Sequence, residues 1–223
     1  MKLNVFFLMF SLASALFAES PVTLKNRLIE VSVDPSTAAF SVTDLRSGQV
    51  WNQTKQQGFR LENAKRSGKE LRAVLCTPDN LKLDLSMELS EDVPELKVVL
   101  SGAAQTPVSR SIAYPLPFVP NDSDIFILPE HEGAGIPVRD YMVMNPKNPD
   151  GKAANPVYSK QFRFYSGHDL SMTFWGYAGE KSSCMSIVET PNDASLRVQS
   201  IDGVLVGGME WESSHQVFGY SRA

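Results

Sequence analysis

The sequence predicts an all-β protein, a two-sheet antiparallel sandwich, and three observations lead there. Apolar residues alternate with polar ones, short runs of this kind are separated by turn clusters, and no stretch makes a convincing amphipathic helix. The clearest run is Leu81, Leu83, Leu85, Met87 and Leu89, separated by Lys82, Asp84, Ser86 and Glu88. A period of two puts all five apolar residues on one face of a strand, whereas an α-helix would spread them around its circumference. Leu favours helices, but period outweighs propensity here.

In chain order, the first segment is a leader. Lys2 supplies a positive start, Val5 to Phe17 are free of charge, and small residues follow at Ala13, Ser14, Ala15 and Ala18 before Glu19. A membrane-spanning helix needs about 20 apolar residues, so this shorter run predicts a cleaved secretory signal over residues 1–18. Cleavage is expected after Ala18, with Ala13 and Ala15 as a small-x-small alternative. The chain is therefore expected to be exported, to a periplasm or the extracellular space. Residues 19–223 are expected to form one β domain.

The strands follow. Ile29, Val31 and Val33 alternate up to the turn Asp34-Pro35-Ser36-Thr37, and Phe40 and Val42 resume before Arg46-Ser47-Gly48. Asp44-Leu45-Arg46-Ser47-Gly48 has hairpin-turn chemistry, with Gly able to take φ > 0, and Trp51 beyond it is expected to anchor the core. Phe59/Leu61, Leu71/Ala73/Leu75 and the Leu81–Leu89 run come next, then Leu96 to Leu100, Ile125 to Leu128, Gln161 to Tyr165 and Ser171 to Tyr177. Cys184 to Glu189, Ser195 to Ser200 and Val204 to Val206 complete the set. Short strands at this spacing indicate a sandwich or barrel, and the lack of a repeat argues against a propeller. Val138 to Asn155, with Asn145-Pro146, Asn148-Pro149 and Asp150-Gly151, is expected to be a long irregular loop.

A hydrophobic fraction of 43% is ordinary for a globular chain. The formal charge of −4, one unit more negative once Lys2 leaves with the leader, argues against nucleic-acid or anionic-membrane partners, which want clustered Lys and Arg. Two cysteines, Cys76 and Cys184, either form one bridge closing a long loop or remain separate buried thiols. The aromatic segment of Trp211, Val217, Phe218 and Tyr220 near the last residue suggests a domain incomplete at that end.

Several segments carry a family resemblance. Leu24 to Val31, Val42-Thr43-Asp44-Leu45-Arg46-Ser47-Gly48-Gln49-Val50-Trp51, and Ile127-Leu128-Pro129-Glu130-His131-Glu132-Gly133-Ala134-Gly135-Ile136-Pro137-Val138 stand in this order. Ser171-Met172-Thr173-Phe174-Trp175-Gly176 and Ile187-Val188-Glu189-Thr190-Pro191-Asn192-Asp193-Ala194 follow. Together they resemble the galactose-mutarotase-like sandwich domains that precede the catalytic barrel in glycoside hydrolases of α-glucosidase type and endo-α-N-acetylgalactosaminidase-like type. The resemblance implies a supersandwich fold, a carbohydrate partner, an intramolecular barrel partner and no cofactor. It also implies an accessory role beside catalytic acids that lie in the barrel, so no catalytic residue is assigned to this chain; a free-standing carbohydrate-binding module and a mutarotase-type sugar epimerase are the alternative readings.

Candidate carbohydrate contacts are Glu130, His131 and Glu132, crowded beside Gly133, together with Arg139, Asp140, Tyr141 and Trp175. Carboxylates beside an imidazole bind sugar hydroxyls, hold metals or shuttle protons; a solvated loop tip is the competing reading. Trp175 and Tyr177 share a parity, so both rings face the same way, either toward a sugar or into the core. His168 and His215 sit in turn-like surroundings unlike a mutarotase signature, and no metal-ligand spacing or phosphate loop occurs.

Overall fold

The computed structural model of this protein describes residues 20–102, 111–130, 132–139, 159–164 and 169–211. The leader, His131, Asp140, Tyr141, His168, His215 and most of the expected 138–155 loop lie outside the described residues, as do Val217, Phe218 and Tyr220.

Alternation becomes strands wherever it was strict. β1 (Val22–Lys25), β2 (Ile29–Val33), β3 (Phe40–Asp44) and β4 (Val50–Gln53) form an antiparallel meander. Ile29, Val31 and Val33 turn inward and Glu30 and Ser32 outward. The β3–β4 turn is closed by Asp44, whose carboxylate accepts the Arg46 backbone N–H at 2.9 Å and its Nε at 2.9 Å. Gly48 donates to the Asp44 carbonyl at 2.8 Å, with φ of +72°.

A second meander follows: β5 (Arg60–Ser67), β6 (Glu70–Cys76), β7 (Lys82–Leu89) and β8 (Leu96–Ser101). On β7, Leu83, Leu85, Met87 and Leu89 are buried, and Lys82, Asp84, Ser86 and Glu88 take the other face. Each such apolar side chain contributes roughly 1.5–3 kcal/mol by leaving water.

β9 (Phe118–Val119) returns to the free side of β4. β10 (Ile125–Leu128) and β11 (Ala134–Pro137) form a hairpin, and β12 (Ser159–Arg163) lies in a different sheet. β13 (Phe174–Ala178) pairs with β10 and then with β14 (Ser183–Ile187). After a 3-10 turn at Pro191–Asp193, β15 (Ala194–Ile201) and β16 (Val204–Trp211) join β12.

The chain is all-β with antiparallel ladders, as expected, but the described strands group into four sheets, a four-bladed grouping, rather than two. The orders are β1-β2-β3-β4-β9, β5-β6-β7-β8, β11-β10-β13-β14 and β12-β15-β16. The late strands switch partners sheet by sheet, which period-two patterning cannot reveal. The segment Pro129 to Val138, for whose Glu130 to Glu132 the sequence allows a solvated loop tip, is part turn and part strand. Its second half is β11, and Gly133, at φ of +98°, makes the turn by donating to the Glu130 carbonyl at 2.8 Å.

Buried residues of all four sheets belong to one core cluster. The two meanders are tied at both ends of β2. Buried Asn26 accepts the Leu28 and Ile29 N–H groups at 2.7 and 2.8 Å and donates to the Ser90 and Val93 carbonyls at 2.8 and 3.0 Å. Beyond the other end, Leu61 N–H donates to the Pro35 carbonyl at 2.7 Å. A buried polar side chain used this fully costs little to desolvate.

Three sheets, the first meander's and the two late ones, meet at Tyr177 on β13. Its hydroxyl accepts the Gly207 N–H of β16 at 2.9 Å and donates to the Phe118 carbonyl of β9 at 3.3 Å. Its ring stacks on Trp51 of β4 at 6.0 Å and meets Phe126 and Trp175 edge-on at 5.4 and 5.7 Å. Burial pushes the phenol's pKa up, so it keeps the proton it donates. Gly207 fits because a Cβ there would stand 2.8 Å from the Phe126 ring and 3.0 Å from Trp175. Trp211 is buried too, its indole N–H donating to the Tyr114 carbonyl at 2.6 Å. Of the end-segment aromatics only Trp211 is described, and it belongs to the core.

Tyr177→Phe should leave the Gly207 N–H without a partner and cost about 1–3 kcal/mol in urea unfolding. Gly207→Ala should cost a similar amount, about 1–3 kcal/mol, by overpacking the Phe126 and Trp175 rings. Unchanged midpoints in both variants would refute the bridging role of Tyr177.

Candidate functional site

Among the described residues, the largest side-chain network on one sheet face lies on β12-β15-β16. Register decides its membership. Gln161 pairs with Arg197, and Ser195 with Glu210, so all four side chains leave the same face. Leu196, Val198, Leu205, Met209 and Trp211 take the opposite, core-facing side and hold the strands down.

Arg197 grips Glu210 in a two-pronged ion pair, Nε to Oε1 and Nη2 to Oε2, the latter at 2.9 Å. The Glu210 side chain is only 11% exposed, so its charge is compensated in place. The Gln161 amide donates to Ser195 Oγ at 2.7 Å and to Glu210 Oε2 at 3.4 Å, and Arg197 Nη1 donates to Ser159 Oγ at 3.3 Å. Planar guanidinium, carboxylate and amide groups beside hydroxyls are the chemistry that hydrogen-bonds polyhydroxylated ligands. Glycosidic cleavage needs more: two carboxyl groups facing one another across the bond. Among the described residues, no three His, Cys, Asp or Glu side chains gather as a metal site would require.

Of the expected site residues, Glu130, Glu132 and Arg139 are spread along the β10–β11 hairpin. Glu130, half-buried, opens the turn and receives Lys160 Nζ at 3.1 Å. That ammonium also sits 4.2 Å from the centre of the Phe162 ring. Glu132 is exposed in the same turn. Arg139 lies at the opposite end, beyond Pro137, where it holds Asp122 at 2.6 Å and reaches the Gly203 carbonyl at 3.4 Å. The hairpin separates it from Glu130 by roughly 10 Å or more, at about 3.3 Å per paired residue. His131, Asp140 and Tyr141 fall outside the described residues. Trp175 is core: its faces meet Phe126 and Tyr177 and its indole N–H points to Met209 Sδ at 3.4 Å. A ring enclosed in this way has no face for a sugar, which corrects the expectation that Trp175 contacts carbohydrate.

Cys76 and Cys184 are not bridged; they stand in different sheets as free thiols. Burial raises the pKa of both, Cys184 to about 12, so neither carries an accessible thiolate near neutrality.

The polar network escaped sequence reading. The alternation Ser195, Arg197, Gln199 was visible, but its meeting with Gln161 and Glu210 depends on pairings across long stretches of chain.

No protein-family model matches the chain, and no curated protein matches it. Solved structures do. An α-N-acetylgalactosaminidase of Bifidobacterium bifidum, ligand-free, superposes with a TM-score of 0.63 at 13% identity over 90% of this chain and 34% of its own. The same enzyme in complex with GalNAc gives 0.67 at 14% identity over 90% of this chain and 35% of its own. The likeness is one of fold. This chain spans about a third of the length of those enzymes.

Glu210→Ala should cost about 1.5–3 kcal/mol in chemical denaturation, because it strips the charged hydrogen bonds from Arg197 and Gln161. A loss below 0.5 kcal/mol, typical of a surface pair, would show that the network is not structural.

Proposed function

We propose that this chain is the accessory, carbohydrate-side domain of an exported glycoside hydrolase, packing on a catalytic barrel. The observation that carries the reading is the superposition on nine-tenths of this chain and one-third of a glycosidase. The order of motifs from Leu24 to Ala194 adds support. In this reading the four sheets are layers of a galactose-mutarotase-like supersandwich, with the ties at Asn26 and Pro35 holding two of them face to face. The segment Glu130 to Asp140 borders the substrate cleft, where Glu130 and Lys160 offer a charged pair over Phe162. The catalytic carboxyls belong to the barrel. Export follows from the leader at residues 1–18.

A free-standing carbohydrate-binding module is the second reading, favoured by the Gln161–Ser195–Arg197–Glu210 face. Two assays on the purified chain separate them. An accessory domain should neither hydrolyse an aryl α-N-acetylgalactosaminide nor give measurable calorimetric heats with N-acetylgalactosamine or oligosaccharides at millimolar concentration. Hydrolysis above the buffer rate would overturn the accessory reading, and saturable binding lost in Gln161→Ala would transfer the case to the module. The leader is checked by the mass of the secreted chain, which should begin at Glu19.

A further inference from the structure

Among the described residues the sheet β11-β10-β13-β14 ends on β14, and within them this edge carries none of the devices that normally keep sheet edges apart. Its sequence, Ser183-Cys184-Met185-Ser186-Ile187, has no charge and no proline, and its register with β13 runs without a bulge. The direction of its backbone groups follows from two bonds. Gly179 N–H donates to the Ser182 carbonyl at 3.1 Å and Val188 N–H to the Thr173 carbonyl at 2.7 Å. In an antiparallel ladder, Cys184 and Ser186 therefore direct their backbone groups toward β13 as well. Ser183, Met185 and Ile187 direct theirs away from the sheet. The side chains of the same three residues are on the outer face, where Met185 is 60% and Ile187 63% exposed, the most exposed of the large apolar residues described. The face continues across Phe174 and Ala178 of β13 and Ile125 and Ile127 of β10 without a charge.

We propose that β14 is a dimerisation strand, pairing antiparallel with β14 of a second copy of this chain about a twofold axis through Met185. In that register Met185 meets its own counterpart and Ser183 meets Ile187. Every outward backbone group of the strand then finds a mate, and the exposed Met and Ile side chains pack against the other copy. The charges beyond the strand decide for a second copy over another partner. Lys181 and Glu189 lie four residues before and after Met185, so each faces the opposite charge of the other copy, once on either side of the axis. Moving the axis to Cys184 or Ser186 puts Lys181 opposite Ile187 or Pro191 and leaves one outward residue unpaired. A strand with opposite charges equidistant from its centre is complementary to itself when antiparallel. Glu189 also receives Lys97 at 3.0 Å; its carboxylate is 51% exposed and can accept a second cation. The proposal is independent of the glycosidase reading.

Sedimentation velocity across the micromolar range tests it. The purified chain should be a reversible dimer. Met185→Pro removes an outward N–H that bonds nothing among the described residues, so it should give a monomer with an unchanged far-ultraviolet spectrum. Lys181→Glu, in an exposed turn, should weaken the dimer roughly tenfold by turning two attractions into repulsions. Adding Glu189→Lys should restore it. A chain that is monomeric throughout overturns the proposal, and so does a dimer indifferent to both Met185→Pro and Lys181→Glu.

Discussion

One phenolic hydroxyl carries the junction on which the late half of this fold depends. Tyr177 sits on β13, yet it bonds the backbone of β16 at Gly207 and of β9 at Phe118 while its ring lies on Trp51 of β4. Strands of separate sheets cannot share ladder hydrogen bonds, so something else must hold their backbones in place. A buried hydroxyl that donates once and accepts once satisfies itself and both partners. The geometry demands a glycine at 207, because any side chain there would displace the Phe126 and Trp175 rings packed around the phenol.

The same junction places the polar network. β16 presents Gly207 and Met209 to the aromatic cluster and Glu210 to the opposite face, so anchoring one side sets the position of the other. Strand β15 brings Arg197 and Ser195 alongside, and β12 adds Gln161. The carboxylate there is held by the guanidinium with little water access of its own, which suits a rigid face. The β10–β11 hairpin keeps its charges apart instead: Glu130 with Lys160 at the turn, Arg139 with Asp122 at the open end.

Legibility followed the kind of information each feature needs. Strands β2, β6 and β7 could be read residue by residue because one of their faces is wet and the other dry, and so could the Asp44–Gly48 turn. β1, β4, β9 and β11 were missed as strands because two to four residues are too few to show a period. The Asp202-Gly203 turn between β15 and β16, with φ of +51° and +76°, is a hairpin turn whose Asp-Gly pair is itself a local sequence signal. Trp175 was ambiguous in sequence, since an indole serves a core or a sugar equally well, and only its enclosure by Phe126 and Tyr177 resolved it.

The sequence by itself determined that this protein is built of antiparallel strands and which faces of its most regular strands are apolar, because alternation is a local property of the chain. The tertiary structure decided the number of sheets, the reduced state of Cys76 and Cys184, and the company of Glu210. Those depend on which distant strands lie side by side, and pairing at long range is chosen by packing of the whole core rather than by any one segment.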